Sequence, residues 1–220
     1  MGVTEGYRSE QLGRRMATLV AKEIGGISRN GLHPTYQAVV DAIGRIPGDE
    51  PLSLLDVGCG VGLYRRVLAD VGRVRYEGTD FNTVMLADAQ GLFPGTTFHL
   101  ADACDLPFED GSYDVVLAGA VLEHIKEWRQ ALAEMCRVAR GWLVLHRTLL
   151  TMRNEPTRTE TQSAFGDVWI WRVYINQVEL FGELARHDFA PVGEAQFIDI
   201  DTGARVGQKG VQWTFLCEAR

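Results

Sequence analysis

The four cysteines of this 220-residue chain, Cys59, Cys104, Cys136 and Cys217, stand far apart and form no C-x-x-C pair. That spacing points away from a zinc site and a disulfide framework and leaves reduced thiols, the state found in the cytosol. No apolar run approaches the roughly 18 residues that a membrane span needs. The first ten residues are polar and lack the apolar region of a secretory signal, and Gly6 stands where a myristoylation signal wants Ser or Thr. A soluble cytoplasmic protein with no membrane partner is therefore expected. Basic charge is also scarce, with 22 Lys and Arg against 29 Asp and Glu and a net charge of −7. That excludes a broad phosphate-neutralising face, so no nucleic-acid partner is expected. The pairs Arg14-Arg15 and Arg65-Arg66 read as solvated helix faces. Internal repeats and low-complexity segments are missing too, and no cluster of metal ligands is visible.

What is present is enough apolar content, 46%, for one globular unit with a sizeable core. Residues 7 to 45 read as helical, broken at Gly25-Gly26 and at Asn30-Gly31. Pro47-Gly-Asp-Glu-Pro51 then leads into an alternation of strands and helices. Strands are expected over 52–57, 74–79, 96–100, 113–118 and 141–147, with helices over 63–71, 83–90 and within 122–139. Such alternation implies a parallel sheet covered on both faces. Residues 148 to 174 read as irregular. A helix over 176–187 and two β-like runs over 195–200 and 211–218 follow, and consecutive strands of that kind imply an antiparallel pair.

The stretch Leu54-Leu-Asp-Val-Gly-Cys-Gly-Val-Gly62 is a buried strand running into a turn with three alternate glycines. Glycine leaves backbone bare for a ligand and adopts conformations closed to other residues. Leu63 occupies the last position of the dinucleotide pattern G-x-G-x-x-G. Asp56, two residues before the first glycine, would repel a pyrophosphate and favour a ligand carrying positive charge; it also reads as a cap for the turn's amides. Asp80 closes the second strand about 20 residues past the turn, where an acid accepts hydrogen bonds from ribose hydroxyls. Asp102, just past the third strand, reaches the same sheet edge. Its carboxylate accepts from an exocyclic amine such as adenine's, and the Ala103 amide donates to a ring nitrogen.

Together with Gly78-Thr-Asp-Phe81, Asp102-Ala103, Phe108-Glu-Asp-Gly-Ser-Tyr-Asp-Val-Val116 and Val121-Leu-Glu-His124, the glycine turn resembles the class I S-adenosylmethionine-dependent methyltransferases. The likeness covers about residues 52 to 147 and is nearest their small-molecule, ubiquinone-biosynthesis-like branch. It implies a Rossmann-like, doubly wound α/β sheet of seven strands, mostly parallel with an antiparallel C-terminal strand. It also implies an N-terminal helical lid over residues 1–47 and a cofactor-binding domain over 48–220. The cofactor implied is S-adenosyl-L-methionine. Gly58, Cys59 and Gly60 would pass against its methionine part, Asp56 would lie near its ammonium, and Asp80 would hold the ribose. Phe81 would lie against adenine, Asp102 and Ala103 would read the adenine edge, and Ala118 and Gly119 would floor the site near the sulfonium.

The activity implied is methyl transfer to a small-molecule acceptor at oxygen, nitrogen or carbon. Transfer from a sulfonium needs alignment and exclusion of water, and a base only where the acceptor must lose a proton. His124 and His146 are the candidate bases, each with a structural alternative, and Arg147 is a second candidate to face the acceptor. Tyr7 and His33 are weaker ones. Trp169, Trp171 and Tyr174 are candidates to wall an acceptor pocket or simply to fill the core. Three other readings stand beside this one. An aminopropyl transferase would need a different acidic motif after the fourth strand. A nicotinamide-dependent oxidoreductase is opposed by Leu63 and Asp56. A catalytically inactive cofactor-binding partner subunit is compatible with every motif. A homodimer is allowed by the sequence, which carries no mark for or against it.

Overall fold

A computed structural model describes residues 9–151, 155–164, 168–199 and 211–220. Two helices come first, α1 (Glu10–Asn30) and α2 (Pro34–Gly44). Ser9 caps α1 by accepting the Leu12 amide, and Gly31, at φ +80, ends it. The break expected at Gly25-Gly26 does not occur. Ile24 and Ile27 bury the same face of α1 on either side of the pair, and that packing outweighs the cost of about 1 kcal/mol per mid-helix glycine.

Then come β1 (Leu52–Val57), α3 (Leu63–Val67), β2 (Val74–Asp80), α4 (Thr83–Leu92), β3 (Thr97–Leu100) and β4 (Tyr113–Gly119). A short 3-10 turn, Leu122–His124, precedes α5 (Trp128–Val138) and β5 (Ala139–Thr151). The chain closes with β6 (Arg158–Ala164), β7 (Val168–Asn176), α6 (Gln177–Arg186), β8 (Phe189–Asp199) and β9 (Val211–Ala219).

Strands β3-β2-β1-β4-β5 are parallel neighbours, β9 pairs antiparallel with β5, and β8 pairs antiparallel with β9. These are the seven strands expected, with the antiparallel one last in the chain. The segment expected to be irregular adds two more. β6 and β7 form an antiparallel hairpin, and β7 joins the far end of β5 at Leu150↔Ile175. In β7 Ile170, Val173 and Ile175 are buried and Trp169 is 54% exposed, which is no strict alternation and so marks no strand in the sequence.

Chain order reverses between β1 and β4, the point at which doubly wound sheets bind ligands beyond the carboxyl ends of their strands. Alternation along each strand feeds two cores. Leu54, Val115, Leu117 and Val144 face α1, α2 and α3, whereas Leu55, Val116, Leu143 and Leu145 face α5 and α6. The N-terminal helices divide by role. Val39 and Ile43 of α2 are fully buried in the first core, while α1 lies over the carboxyl edge of the sheet. Among the described residues no helix is long and apolar enough to cross a membrane.

Candidate functional site

One cavity of about 800 Å³ opens at the carboxyl ends of β1, β2, β4 and β5. Its floor is the β1–α3 turn. Gly58, Gly60 and Gly62 have φ of +71, +54 and +83, the left-handed region that glycine alone enters freely. The amides of Gly58 and Cys59 both donate to the Thr79 carbonyl, at 2.7 and 2.9 Å, tying the turn to the end of β2. A methyl group at Gly58 would stand 2.5 Å from Val121, and one at Gly119 would stand 2.2 Å from the Tyr64 ring. Bare backbone at these two positions is what keeps the floor open.

Asp80 stands beside the turn, 8% exposed. One oxygen accepts the Gly60 amide at 3.0 Å and the other the Asn82 amide at 2.8 Å. Burial raises its pKa against the pull of those backbone donors. Asn82 in turn caps α4 by accepting the amides of Val84 and Met85, and its side chain packs where Gly13 leaves room on α1. Phe81, Asp102 and Ala103 line the same end of the cavity, with Asp102 accepting the Cys104 amide at 3.0 Å. Eight of the expected cofactor residues thus share one wall and floor: Gly58, Cys59, Gly60, Asp80, Phe81, Asp102, Ala103 and Gly119.

Asp56, Ala118 and His146 do not line the cavity. Asp56 is fully buried behind the glycine turn, accepting the Tyr76 hydroxyl at 2.5 Å, while its other oxygen has no partner. Burial raises its pKa to about 8, opposed by the Tyr76 hydrogen bond and reinforced by Asp80. His146 is fully buried, with Nδ1 2.8 Å from Thr214 Oγ1 and its ring edge-on to Tyr64. Burial and the neighbouring Arg147 push its pKa down to about 3, so at neutral pH the ring is uncharged.

The far end of the cavity has different chemistry. Leu12, Met16, Leu19 and Val20 of α1 make an apolar roof, and Ile170 and Trp171 of β7 make a wall. Beneath them lies a polar group that local sequence did not reveal. Glu123, 3% exposed, bonds Arg172 at 2.5 Å, the Gln212 amide at 3.2 Å and His124 Nε2 at 3.3 Å. Burial would raise its pKa, but His124, Arg172 and Arg147 together lower it. The other His124 nitrogen lies 3.1 Å from the Trp171 carbonyl, so both ring nitrogens are engaged by the protein. Arg147 and Glu23 complete this end, with Glu23 bonded by the Tyr36 hydroxyl. His33 caps α2 away from the cavity. Trp169 points to solvent and Tyr174 lies under the Arg158 guanidinium, so of the three aromatics Trp171 alone lines the site. Tyr7 lies outside the described residues. Among those residues no group of three or more His, Cys, Asp or Glu is placed to hold a metal.

A doubly wound sheet thus carries a glycine turn flanked by acids at its switch point, with a second chamber beside it. Residues 55–145 match the family described as "Methyltransferase domain". Ajmaline N-methyltransferase of Rauvolfia serpentina is 34% identical over 99 residues, 42% of this chain and 34% of that protein. Demethylmenaquinone methyltransferase of Renibacterium salmoninarum is 38% identical over 102 residues, 46% of this chain and 41% of that protein. The chain thus spans about two fifths or less of the length of these relatives. An S-adenosylmethionine-dependent methyltransferase structure from Methanosarcina mazei superposes with a TM-score of 0.63 at 20% identity, covering 86% of this chain and 98% of that one. Residues 55–145 are thus similar to a methyltransferase domain, and the chain has the fold of S-adenosylmethionine-dependent methyltransferase structures.

Proposed function

We propose that this chain transfers a methyl group from S-adenosyl-L-methionine to a small-molecule acceptor in the cytoplasm. The observation that carries this is the division of one cavity into a glycine-and-carboxylate half and an apolar half floored by polar groups. Bound S-adenosyl-L-methionine supplies a methyl group already activated by its sulfonium. Asp80 offers lone pairs to a ribose, Asp102 and Ala103 offer an acceptor and a donor to a base edge, and Phe81 offers its ring to the base. Gly58 and Gly60 leave room along the turn for the amino-acid part. The relatives' own names, an alkaloid N-methyltransferase and a demethylmenaquinone methyltransferase, support a small acceptor.

In this reading the chain's part is alignment and exclusion of water rather than proton abstraction. His124 ties the Leu122–His124 turn to β7, and His146 packs beneath the floor, so neither presents a free nitrogen to the acceptor chamber. Titration calorimetry tests the cofactor choice. S-adenosylhomocysteine is expected to bind saturably at one site and NAD not to bind; binding of NAD without S-adenosylhomocysteine would overturn the reading.

A further inference from the structure

Two left-handed non-glycine residues line the cavity, Ala120 and Arg147, and the second is charged. Arg147, within β5, has φ +56, the left-handed region that costs a non-glycine residue about 1–2 kcal/mol. The cause is a β-bulge. Leu145 pairs with Phe215 and Thr148 with Trp213, so His146 and Arg147 together oppose the single residue Thr214. A bulge of this kind re-aims a side chain, and here it turns Arg147 into the cavity while His146 goes into the core. Ala120, at the end of neighbouring β4, is left-handed too, at φ +57, and its amide holds the His146 carbonyl at 2.9 Å. The floor of the acceptor end is thus built to present one guanidinium.

That guanidinium is only partly satisfied. Its Nε donates to Gln212 Oε1 at 3.1 Å, and among the described residues it makes no ion pair. Gln212 is itself fixed from the other side, where its amide nitrogen donates to Glu123. The nearby acids are occupied elsewhere. Glu123 is held by Arg172, His124 and Gln212, and Glu23 by Tyr36. With Nε taken, the two terminal nitrogens remain, and that pair fits the two oxygens of a carboxylate in a planar fork. Above it lies the apolar roof of α1 and Ile170.

We propose that Arg147 is the acceptor-binding residue of this cavity and that the acceptor is an apolar body carrying a carboxylate. Gln212 is then a positioning residue that holds the fork. This deepens the methyltransferase reading and rests on it.

The test uses 2-naphthoate, with its uncharged amide 2-naphthamide and the cationic 2-naphthylmethylamine as controls. Each is titrated into the protein with and without saturating S-adenosylhomocysteine. Naphthoate is expected to bind about tenfold or more tightly than the amide, the size of one charge-assisted pair. Arg147→Met is expected to abolish the preference while the affinity for S-adenosylhomocysteine stays within about twofold. Arg147→Lys keeps the charge without the fork, is expected to lose most of the preference, and serves if the Met variant does not fold. Equal binding of acid and amide, tighter binding of the amine, a preference that survives Arg147→Met, or no saturable binding of naphthoate at millimolar concentration would each overturn the proposal. Failure of S-adenosylhomocysteine to bind the unaltered protein strikes the methyltransferase reading instead, and the naphthoate arm without it still reports on Arg147.

Discussion

Asp80→Ala is expected to raise the dissociation constant of S-adenosylhomocysteine about a hundredfold. Two hydrogen bonds from ribose hydroxyls to a buried carboxylate are worth about 1.5–3 kcal/mol each, and every 1.4 kcal/mol is tenfold in affinity. The loss has a second source in this protein. The same carboxylate accepts the Gly60 and Asn82 amides, so alanine also frees the glycine turn and leaves two buried donors without partners. Asp80→Asn separates the two effects. It keeps the shape and one acceptor oxygen for the turn but loses the charge, and is expected to weaken binding about tenfold. Calorimetry on the unaltered protein and the two variants gives the comparison. An unchanged dissociation constant in Asp80→Ala would remove Asp80 from the ribose.

The second large effect concerns stability and pH. Asp56 sits fully buried with one oxygen unpartnered, and its folded-state pKa is raised to about 8 from an ordinary 3.8. The folded protein therefore keeps a proton that the unfolded chain releases. Its contribution to stability is full below about pH 4 and is lost as pH rises through about 8. A difference of this kind amounts to something on the order of 5 kcal/mol, accumulated between about pH 4 and 8, where the unfolded chain is ionised and the folded group is not. For a chain of this size that lowers the melting temperature by roughly 10 °C between pH 5 and pH 9. Asp56→Asn keeps an acceptor for the Tyr76 hydroxyl and carries no charge at any pH, so most of this slope is expected to disappear. A remaining slope of the same sign belongs to Asp80, whose pKa is also raised by burial. Thermal unfolding followed by circular dichroism across that range decides it. Equal slopes for the unaltered protein and the Asn variant would show that Asp56 ionises freely in the fold.

Much of the glycine-and-carboxylate end of the cavity was legible in the sequence because its parts are local. A strand, a glycine turn and an acid at the end of the next strand stand at fixed spacings, and the sheet brings them together by parallel pairing alone. Asp56 shows the limit of that reading. Its spacing marks it as part of the turn, but spacing does not tell on which side of the turn the carboxyl lies. In the structure it faces Tyr76 in the interior rather than the cavity. His146 and Arg147 show a related limit. Both lie within β5, and only a bulge against β9, nearly 70 residues later, decides that the arginine faces the cavity and the histidine the core.

The other end of the cavity was illegible for the same reason. Glu123 meets Arg172 across 49 positions and Gln212 across 89, contacts that no local pattern encodes. The hairpin of β6 and β7, which supplies Ile170, Trp171 and Arg172, was concealed by its polar residues. The apolar stripe Leu12, Met16, Leu19 and Val20 lies on the cavity, while α2 belongs to the core below.

The most direct measurement is a crystal structure of the protein with S-adenosylhomocysteine bound. The expected result places both ribose hydroxyls on the Asp80 carboxylate and the adenine edge on Asp102 and Ala103. The amino-acid part then runs along Gly58 and Gly60, and the sulfur faces the chamber that holds Arg147. A nucleoside bound away from Asp80 and Asp102, or a sulfur turned from that chamber, would contradict the assignment of this cavity to methyl transfer.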